Sequence, residues 1–162
     1  MRERGVARVS QAGPATLGLS EVALTTLVYA FCHFCIDLAC ISVLMGSVVP
    51  TFGGRGAMGA LVAIVTYDMV AFCLQLPIGA LLDIWGRETW RGCAMASCVL
   101  VGLGVLLGLP EARVLSAIAV GLVALGNALF HCAGGEEVLD VSRGTAGPSG
   151  AFISTGAAGV FL

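Results

Sequence analysis

The segment VALTTLVYAFCHFCIDLACISVLMGSVV, residues 22–49, is apolar or weakly polar except for His33 and Asp37. About 20 such residues form a helix that crosses the roughly 30 Å hydrocarbon core of a bilayer, so the segment predicts a membrane-spanning helix. A carboxylate at the bilayer centre costs roughly 2.5–3.5 kcal/mol on insertion scales, and it normally faces a bundle interior or a water-filled path. A transport or ion pathway is therefore the first functional hypothesis.

The composition of the whole chain is that of an integral membrane protein. Its 162 residues are 58% hydrophobic and only 11% charged, about half the charge of a typical soluble domain, and the mean hydropathy is +0.99. No block of basic residues indicates nucleic-acid binding. The seven cysteines lie mostly in apolar runs, which indicates small buried side chains rather than a disulfide framework.

Five apolar segments predict an all-α, polytopic helical membrane protein with about five transmembrane helices. They cover residues 22–49, 57–82, 93–109, 114–133 and 148–162. Residues 1–21 form a polar tail, and residues 22–162 form the membrane part. We expect the first helix to end at Pro50, because proline disrupts helix interiors. Pro77 lies inside the second segment, where neighbouring helices can absorb a kink.

The arginines predict the orientation of these helices. Six of the eight cations fall on one side of the predicted spans, and they are Arg2, Arg4, Arg8, Arg87, Arg91 and Arg143. The other side has only Arg55 and Arg113. Because cytoplasmic loops carry an excess of basic residues, we expect a cytoplasmic N-terminus in a multi-pass protein of the plasma or inner membrane.

The fifth segment is short for a span. A helix of its fifteen residues would be about 22 Å long, which is less than the hydrocarbon core. We therefore expect the sequence to be the N-terminal part of a longer protein. The alternative is a five-span protein with a short last helix.

Polar side chains form one stripe on each of three predicted spans, because residues four or seven apart share a helix face. The pairs are His33 and Asp37, Asp68 and Gln75, and Asn127 and His131. The third predicted span has no comparable stripe. This pattern indicates three helices that line a hydrophilic path, with proton-coupling or substrate-contacting side chains, and a fourth helix outside. The alternative is that the polar groups hydrogen-bond one another and hold the helices together.

Two local predictions concern the third and fourth spans. Gly104 and Gly108 are four residues apart on the third span and would permit a close helix contact. Glu136, Glu137 and Asp140 follow the predicted end of the fourth span, and we expect them in a solvated loop.

We expect no metal site, no cofactor and no enzymatic activity. Cys32 and Cys35 have a Cys-x-x-Cys spacing, and His131 and Cys132 would add two ligands. However, the cysteine pair lies in a long apolar run, and no second metal-binding pair has the usual spacing. No nucleophile–base arrangement stands out either.

The sequence QLPIGALLDIWGR, residues 75–87, closes the second predicted span. Its Gly79, Asp83, Gly86 and Arg87 match a Gly-x-x-x-Asp-x-x-Gly-Arg pattern, and the chain thereby resembles the major facilitator superfamily of transporters. The resemblance implies that this loop is a gating latch that stabilises the outward-facing state.

The residue types suit a latch of this kind. Gly79 would let another helix approach closely, and Gly86 supports a tight turn. Asp83 caps the helix end and can pair with Arg87 or with a helix N-terminus from the other half of the transporter.

Two further segments narrow the resemblance. His33-Phe34-Cys35-Ile36-Asp37 is similar to the His-Phe-x-x-Asp of the first helix in fosmidomycin-resistance-type members. Residues 126–131, followed by Gly134 and Gly135, resemble the Gly-x-x-x-x-Phe-His segment of their fourth helix. The resemblance implies a partial major-facilitator fold of inverted three-helix repeats, in which the third helix lies outside the cavity.

The resulting functional hypothesis is proton-coupled export of a small molecule by alternating access. Its expected partners are the lipid bilayer, a small-molecule substrate and a second half or another copy of the chain, and nucleic acid is not among them. The alternative is a truncated, non-transporting fragment or a helper subunit that packs with another membrane protein.

Overall fold

The computed structural model of the chain describes residues 19–52, 57–110 and 112–162. Its α-helices are α1 (Leu19–Val43), α2 (Val49–Phe52), α3 (Ala57–Trp85), α4 (Trp90–Gly108), α5 (Arg113–Val141) and α6 (Ala146–Phe161). A π-helical turn, Leu44–Val48, joins α1 to α2, and a 3₁₀ turn, Arg87–Thr89, precedes α4. These described ranges contain no strand, so the all-α prediction is confirmed.

Four helices of the described residues are long and apolar enough to cross a membrane, which is compatible with a multi-pass membrane protein. They cover Glu21–Thr51, Ala57–Trp85, Arg87–Gly108 and Arg113–Val141. The fifth predicted segment is also helical, but the 16 residues of α6 reach only about 24 Å. The prediction of five spans therefore corresponds to four helices of spanning length and one shorter helix.

The orientation of the helices stays a prediction. Arg2, Arg4, Arg8 and Arg55, on which it largely depends, lie outside the described residues, as does most of the tail 1–21.

The first helical stretch ends close to the predicted position, because α2 continues only two residues past Pro50, to Phe52. The Val49 amide donates to the Leu44 carbonyl five residues earlier, which is the hydrogen bond of a π-helical turn. A proline ring clashes with the carbonyl four residues before it. The wider turn just before Pro50 gives this ring room, so the chain continues as helix.

The prediction that Glu136, Glu137 and Asp140 lie in a solvated loop was wrong. All three residues belong to α5, which continues to Val141. Gly134 and Gly135 lower helix propensity, but Gly134 packs tightly in this helix. A Cβ there would stand 3.3 Å from the Tyr29 ring and 3.4 Å from the Phe130 ring. Tertiary packing thus keeps helical a segment that the sequence pattern ends early.

Glycines bring the helices into close contact, as small residues do in membrane bundles. A Cβ on Gly104 of α4 would stand 2.6 Å from Val123 Cγ1 of α5, and one on Gly126 of α5 would stand 2.7 Å from Val101 Cγ2 of α4. The close contact predicted at Gly104 is therefore present, whereas Gly108 has ordinary van der Waals neighbours. Gly159 of α6 brings that helix close to α1 in the same way, because it lies against the Phe34 carbonyl.

Candidate functional site

A polar cavity of about 140 Å³ lies between α1, α3, α5 and α6. Five of the six residues predicted to line a path face it: Asp37, Asp68, Gln75, Asn127 and His131. Within the described part of the chain, α4 contributes none of the lining residues. The helices that carry polar stripes thus surround one cavity, and the helix without a stripe lies outside it.

His33, the sixth predicted residue, lies beside this cavity and is almost fully buried, with 1% of its surface exposed. Its Nδ1 donates to the Phe152 carbonyl of α6 at 2.7 Å. The His33 imidazole and the Phe152 ring stack with their centroids 4.3 Å apart. Because a carbonyl can only accept, this hydrogen bond places a proton on Nδ1 and fixes the orientation of the imidazole.

His33, Asp37 and His131 form a cluster, called here the His–Asp cluster. The two Nε2 atoms of the histidines lie 3.0 Å apart. Asp37 Oδ2 is 3.3 Å from His33 Nε2, and Asp37 Oδ1 is 3.6 Å from His131 Nε2. The spacing of His33 and Asp37 in the sequence predicts their shared face, but the contact with His131 on α5 is visible only in the fold. Such a cluster can share a proton or hold a metal ion.

Gly156 of α6 covers the His–Asp cluster. A Cβ at this position would stand 2.5 Å from His33 Nε2 and 2.6 Å from Asp37 Oδ2. The sequence analysis missed both Gly156 and the Phe152 carbonyl. The only signal in the sequence is the spacing of Gly156 and Gly159, which places two small residues on one face of α6.

A second polar contact joins α3 and α5 at the cavity. Asn127 Nδ2 donates to the Tyr67 hydroxyl at 2.8 Å, while Asn127 Oδ1 is buried and has no hydrogen-bond partner among the described residues. Tyr67 lines the cavity as well and was missed, although it directly precedes Asp68. Asn127 thus offers a free acceptor at the cavity.

Asp68 and Gln75 occupy the α3 side of the cavity. The Gln75 backbone carbonyl accepts a hydrogen bond from Cys132 Sγ at 3.4 Å. Within the described ranges, the Asp68 carboxylate has neither a hydrogen bond nor an ion pair. It is therefore the carboxylate of the cavity that stays available for a ligand or a proton.

The predicted gating loop forms the turn between α3 and α4. Gly86 has a φ of 79°, a conformation that glycine adopts without strain, and its amide donates to the Leu82 carbonyl at 2.8 Å. No described atom lies within 4 Å of a Cβ built on Gly79. The close helix approach expected at Gly79 is therefore absent from the described part of the chain.

Two ion pairs connect this turn to the end of α5. Arg87 Nη2 lies 2.5 Å from Asp140 Oδ2, so Arg87 pairs with Asp140 rather than with Asp83, which is exposed. Arg91 Nε donates to Glu137 Oε1 at 2.6 Å, and the Glu137 side chain is only 1% exposed. The sequence analysis missed this second pair because it placed Glu137 in a loop.

A larger groove, of about 560 Å³, lies between α3 and α5. Its described lining residues are mainly apolar and include Val48, Met58, Val62 and Val70. Among these described residues, only Thr66 and Tyr67 carry side-chain hydroxyls. The groove can hold an acyl chain or an apolar side chain, but it offers little polar chemistry. The smaller polar cavity is therefore the better candidate site.

Comparisons with protein-family models, with curated proteins and with solved structures each gave no match. A function for the chain can therefore be inferred only from the geometry of the described residues and from the resemblance of the short motifs.

Proposed function

We propose that the chain carries out secondary active transport of a small molecule by alternating access, in the form of proton-coupled export. The polar cavity is then part of the substrate path. The observation that carries this proposal is that five polar side chains from three helices of spanning length line one cavity. Polar groups inside a membrane are expensive and usually mark a substrate or ion pathway. Contacts between helices account for Asp37, His131 and Asn127, but the side chains of Asp68 and Gln75 have no such contact in the described part of the chain.

Asp68 is the proposed proton carrier. A carboxylate that has no fixed partner can take up and release a proton as its surroundings change. Asp68 lines the cavity and has no partner in the described part of the chain. Asp37, in contrast, is already engaged by two histidines.

The cavity chemistry favours a neutral or cationic substrate. Its described lining contains two carboxylates and no arginine or lysine. A phosphonate or another strong anion would require a cation such as arginine, which a second half of the transporter could supply. Asn127 Oδ1, which is buried and lacks a partner, supports a substrate that donates a hydrogen bond.

A second helical unit, either a further half of the same polypeptide or another copy, is proposed to cover α3. Only 12% of the most apolar stretch of α3 is buried against the rest of the described chain, compared with 44% of the corresponding stretch of α5. The Arg87–Asp140 and Arg91–Glu137 pairs fasten the start of α4 to the end of α5. These two ion pairs would keep the turn that contains the proposed latch attached to α5 while the second helical unit moves.

The test is transport by cells and everted membrane vesicles that express the full natural protein. Ethidium serves as a cationic probe, and extracellular metabolites are compared by mass spectrometry. We expect a pH gradient to drive ethidium or metabolite movement in the wild type, and Asp68→Asn to abolish this dependence. Glu88→Gln, a matched change in the exposed turn after α3, should leave it intact. A wild type that matches both a vector control and Asp68→Asn in every assay would refute transport.

The exposed side of α3 also favours a second candidate function, a helper subunit that packs against another membrane protein. Under this alternative, a defined partner copurifies with the wild type and equally with Asp68→Asn. Neither the wild type nor Asp68→Asn then moves a solute across the membrane.

A further inference from the structure

We infer that His33, Asp37 and His131 bind one divalent cation of the zinc class. This inference departs from the sequence-based expectation of no metal site and uses none of the cysteines weighed there. It goes beyond the proposed transport function, because metal binding by these three residues does not depend on whether the chain transports a solute.

The separations of the ligand atoms fit a tetrahedral metal. Zinc bonds to histidine nitrogen and carboxylate oxygen at about 2.0–2.2 Å, and the corners of such a tetrahedron are about 3.3–3.5 Å apart. His33 Nε2 lies 3.0 Å from His131 Nε2 and 3.3 Å from Asp37 Oδ2, and the other carboxylate oxygen, Oδ1, lies 3.6 Å from His131 Nε2. All three residues can present one ligand atom within 4.8 Å of the others, so only small side-chain adjustments are needed.

The tautomer of His33 is the one that a metal ligand requires. Its Nδ1–H donates to the Phe152 carbonyl at 2.7 Å, so the lone pair of the neutral ring is on Nε2 and points at the cluster. Metal-binding histidines almost always donate their other ring N–H to a carbonyl or carboxylate. The structure thus contains both the ligand atom and the hydrogen bond that orients it.

Electrostatics favours a cation or a proton between these atoms. A lone pair on His33 Nε2 faces Asp37 Oδ2 at 3.3 Å, and two electron-rich atoms at this distance repel each other unless a cation or a proton lies between them. Asp37 is 6% exposed, so its charge must be compensated locally. A divalent cation satisfies both histidines and the carboxylate at once. A protonated cluster is the competing occupant, and the experiment must separate the two.

A cation and a fourth ligand can reach the site from the polar cavity, which Asp37 and His131 line. Gly156 closes the α6 side, where a Cβ would already stand 2.5 Å from His33 Nε2. Three protein ligands with an open fourth position are typical of zinc sites that accept water or a small ligand.

The experiment measures Zn²⁺ binding by the full natural protein, purified in detergent with a tag that contains no histidine. After treatment with a chelator and dialysis, Zn²⁺ is titrated calorimetrically, and bound metal is counted by mass spectrometry. We expect one Zn²⁺ per chain. Asp37→Asn and His131→Gln should each weaken binding at least tenfold, since loss of a hydrogen bond that only orients a ligand already costs roughly 10–100-fold.

Glu88→Gln is the matched control, because it makes a carboxylate-to-amide change in the exposed turn before α4, outside both the cluster and the polar cavity. It should bind Zn²⁺ like the wild type. X-ray absorption at the zinc edge of the wild-type protein should show nitrogen and oxygen neighbours and no sulfur, which separates the cluster from the seven cysteines.

Three outcomes would overturn the inference. They are no Zn²⁺ retained by the wild type above the Asp37→Asn level, sulfur in the coordination sphere, and equal loss of binding in Glu88→Gln and Asp37→Asn. Binding is measured without a membrane or a pH gradient. Failure of the metal site is therefore distinguishable from failure of transport.

Discussion

The Nε2 atoms of His33 and His131 lie 3.0 Å apart although 98 residues separate them in the chain. This contact joins α1 to α5, and the hydrogen bond from His33 to Phe152 extends it to α6. The same groups therefore connect three helices and border the polar cavity. Their substitution is expected to affect both helix packing and ligand binding, and matched variants are needed to separate these effects.

Gly156→Ala should disturb the His–Asp cluster. Its Cβ would stand 2.6 Å from Asp37 Oδ2, so α6 or the cluster must shift, and overpacking of this kind typically costs about 1–3 kcal/mol. We expect a lower thermal unfolding temperature in detergent together with weaker Zn²⁺ binding. Gly150→Ala on the same helix has no described atom within 4 Å and should change neither quantity. Equal behaviour of the two variants would contradict the packing described here.

Gly104→Ala should loosen the contact between α4 and α5. The new methyl group would meet Val123 Cγ1 at 2.6 Å and the Ala119 carbonyl at 3.1 Å, and a backbone carbonyl cannot move aside as a side chain can. A destabilisation of about 1–3 kcal/mol is expected. Gly102→Ala, two residues away and facing open space, serves as the control in the same thermal unfolding assay. The prediction fails if both variants retain wild-type stability.

Arg91→Gln should destabilise the protein more than Arg87→Gln. The partner of Arg91 is Glu137, 1% exposed, whereas the partner of Arg87 is Asp140, 32% exposed. An unpaired buried polar group costs about 1–3 kcal/mol, and more if charged, but an exposed ion pair contributes about 0–1 kcal/mol. Arg91→Gln combined with Glu137→Gln should recover part of the loss. Equal unfolding temperatures for the two single variants would disprove the difference.

Tyr67→Phe should destabilise the contact between α3 and α5. The change removes the acceptor of the 2.8 Å hydrogen bond from Asn127 and leaves Asn127 without that partner at the cavity, at a cost of about 1–3 kcal/mol. Tyr29→Phe is the control, since no described group hydrogen-bonds its hydroxyl. The unfolding temperatures of both variants are compared in the same detergent. A lower unfolding temperature for Tyr29→Phe alone would contradict the prediction.

The sequence predicts the helices of this fold well, because hydrophobic length is a local property of the chain. The shared face of His33 and Asp37 follows equally from helical geometry. Two local preferences are overridden by their surroundings. Glu137 stays in a buried helix because Arg91 neutralises it, and Pro50 is tolerated because the preceding turn is widened.

The candidate site is only partly predictable for a related reason. The stripe residues that line the cavity could be chosen by their polarity and spacing, but the sequence does not reveal which stripes face each other. Gly156 and the Phe152 carbonyl contribute no polar side chain. No pattern of side-chain chemistry could therefore have assigned them to the cluster.

The chain contains only two histidines, and both belong to the His–Asp cluster. A protein labelled with ¹⁵N-histidine would therefore give imidazole resonances from the candidate site alone, without any engineered probe. The tautomer, the protonation state and any bound cation could then be followed directly in the unmodified protein, while substrate or a pH gradient is applied.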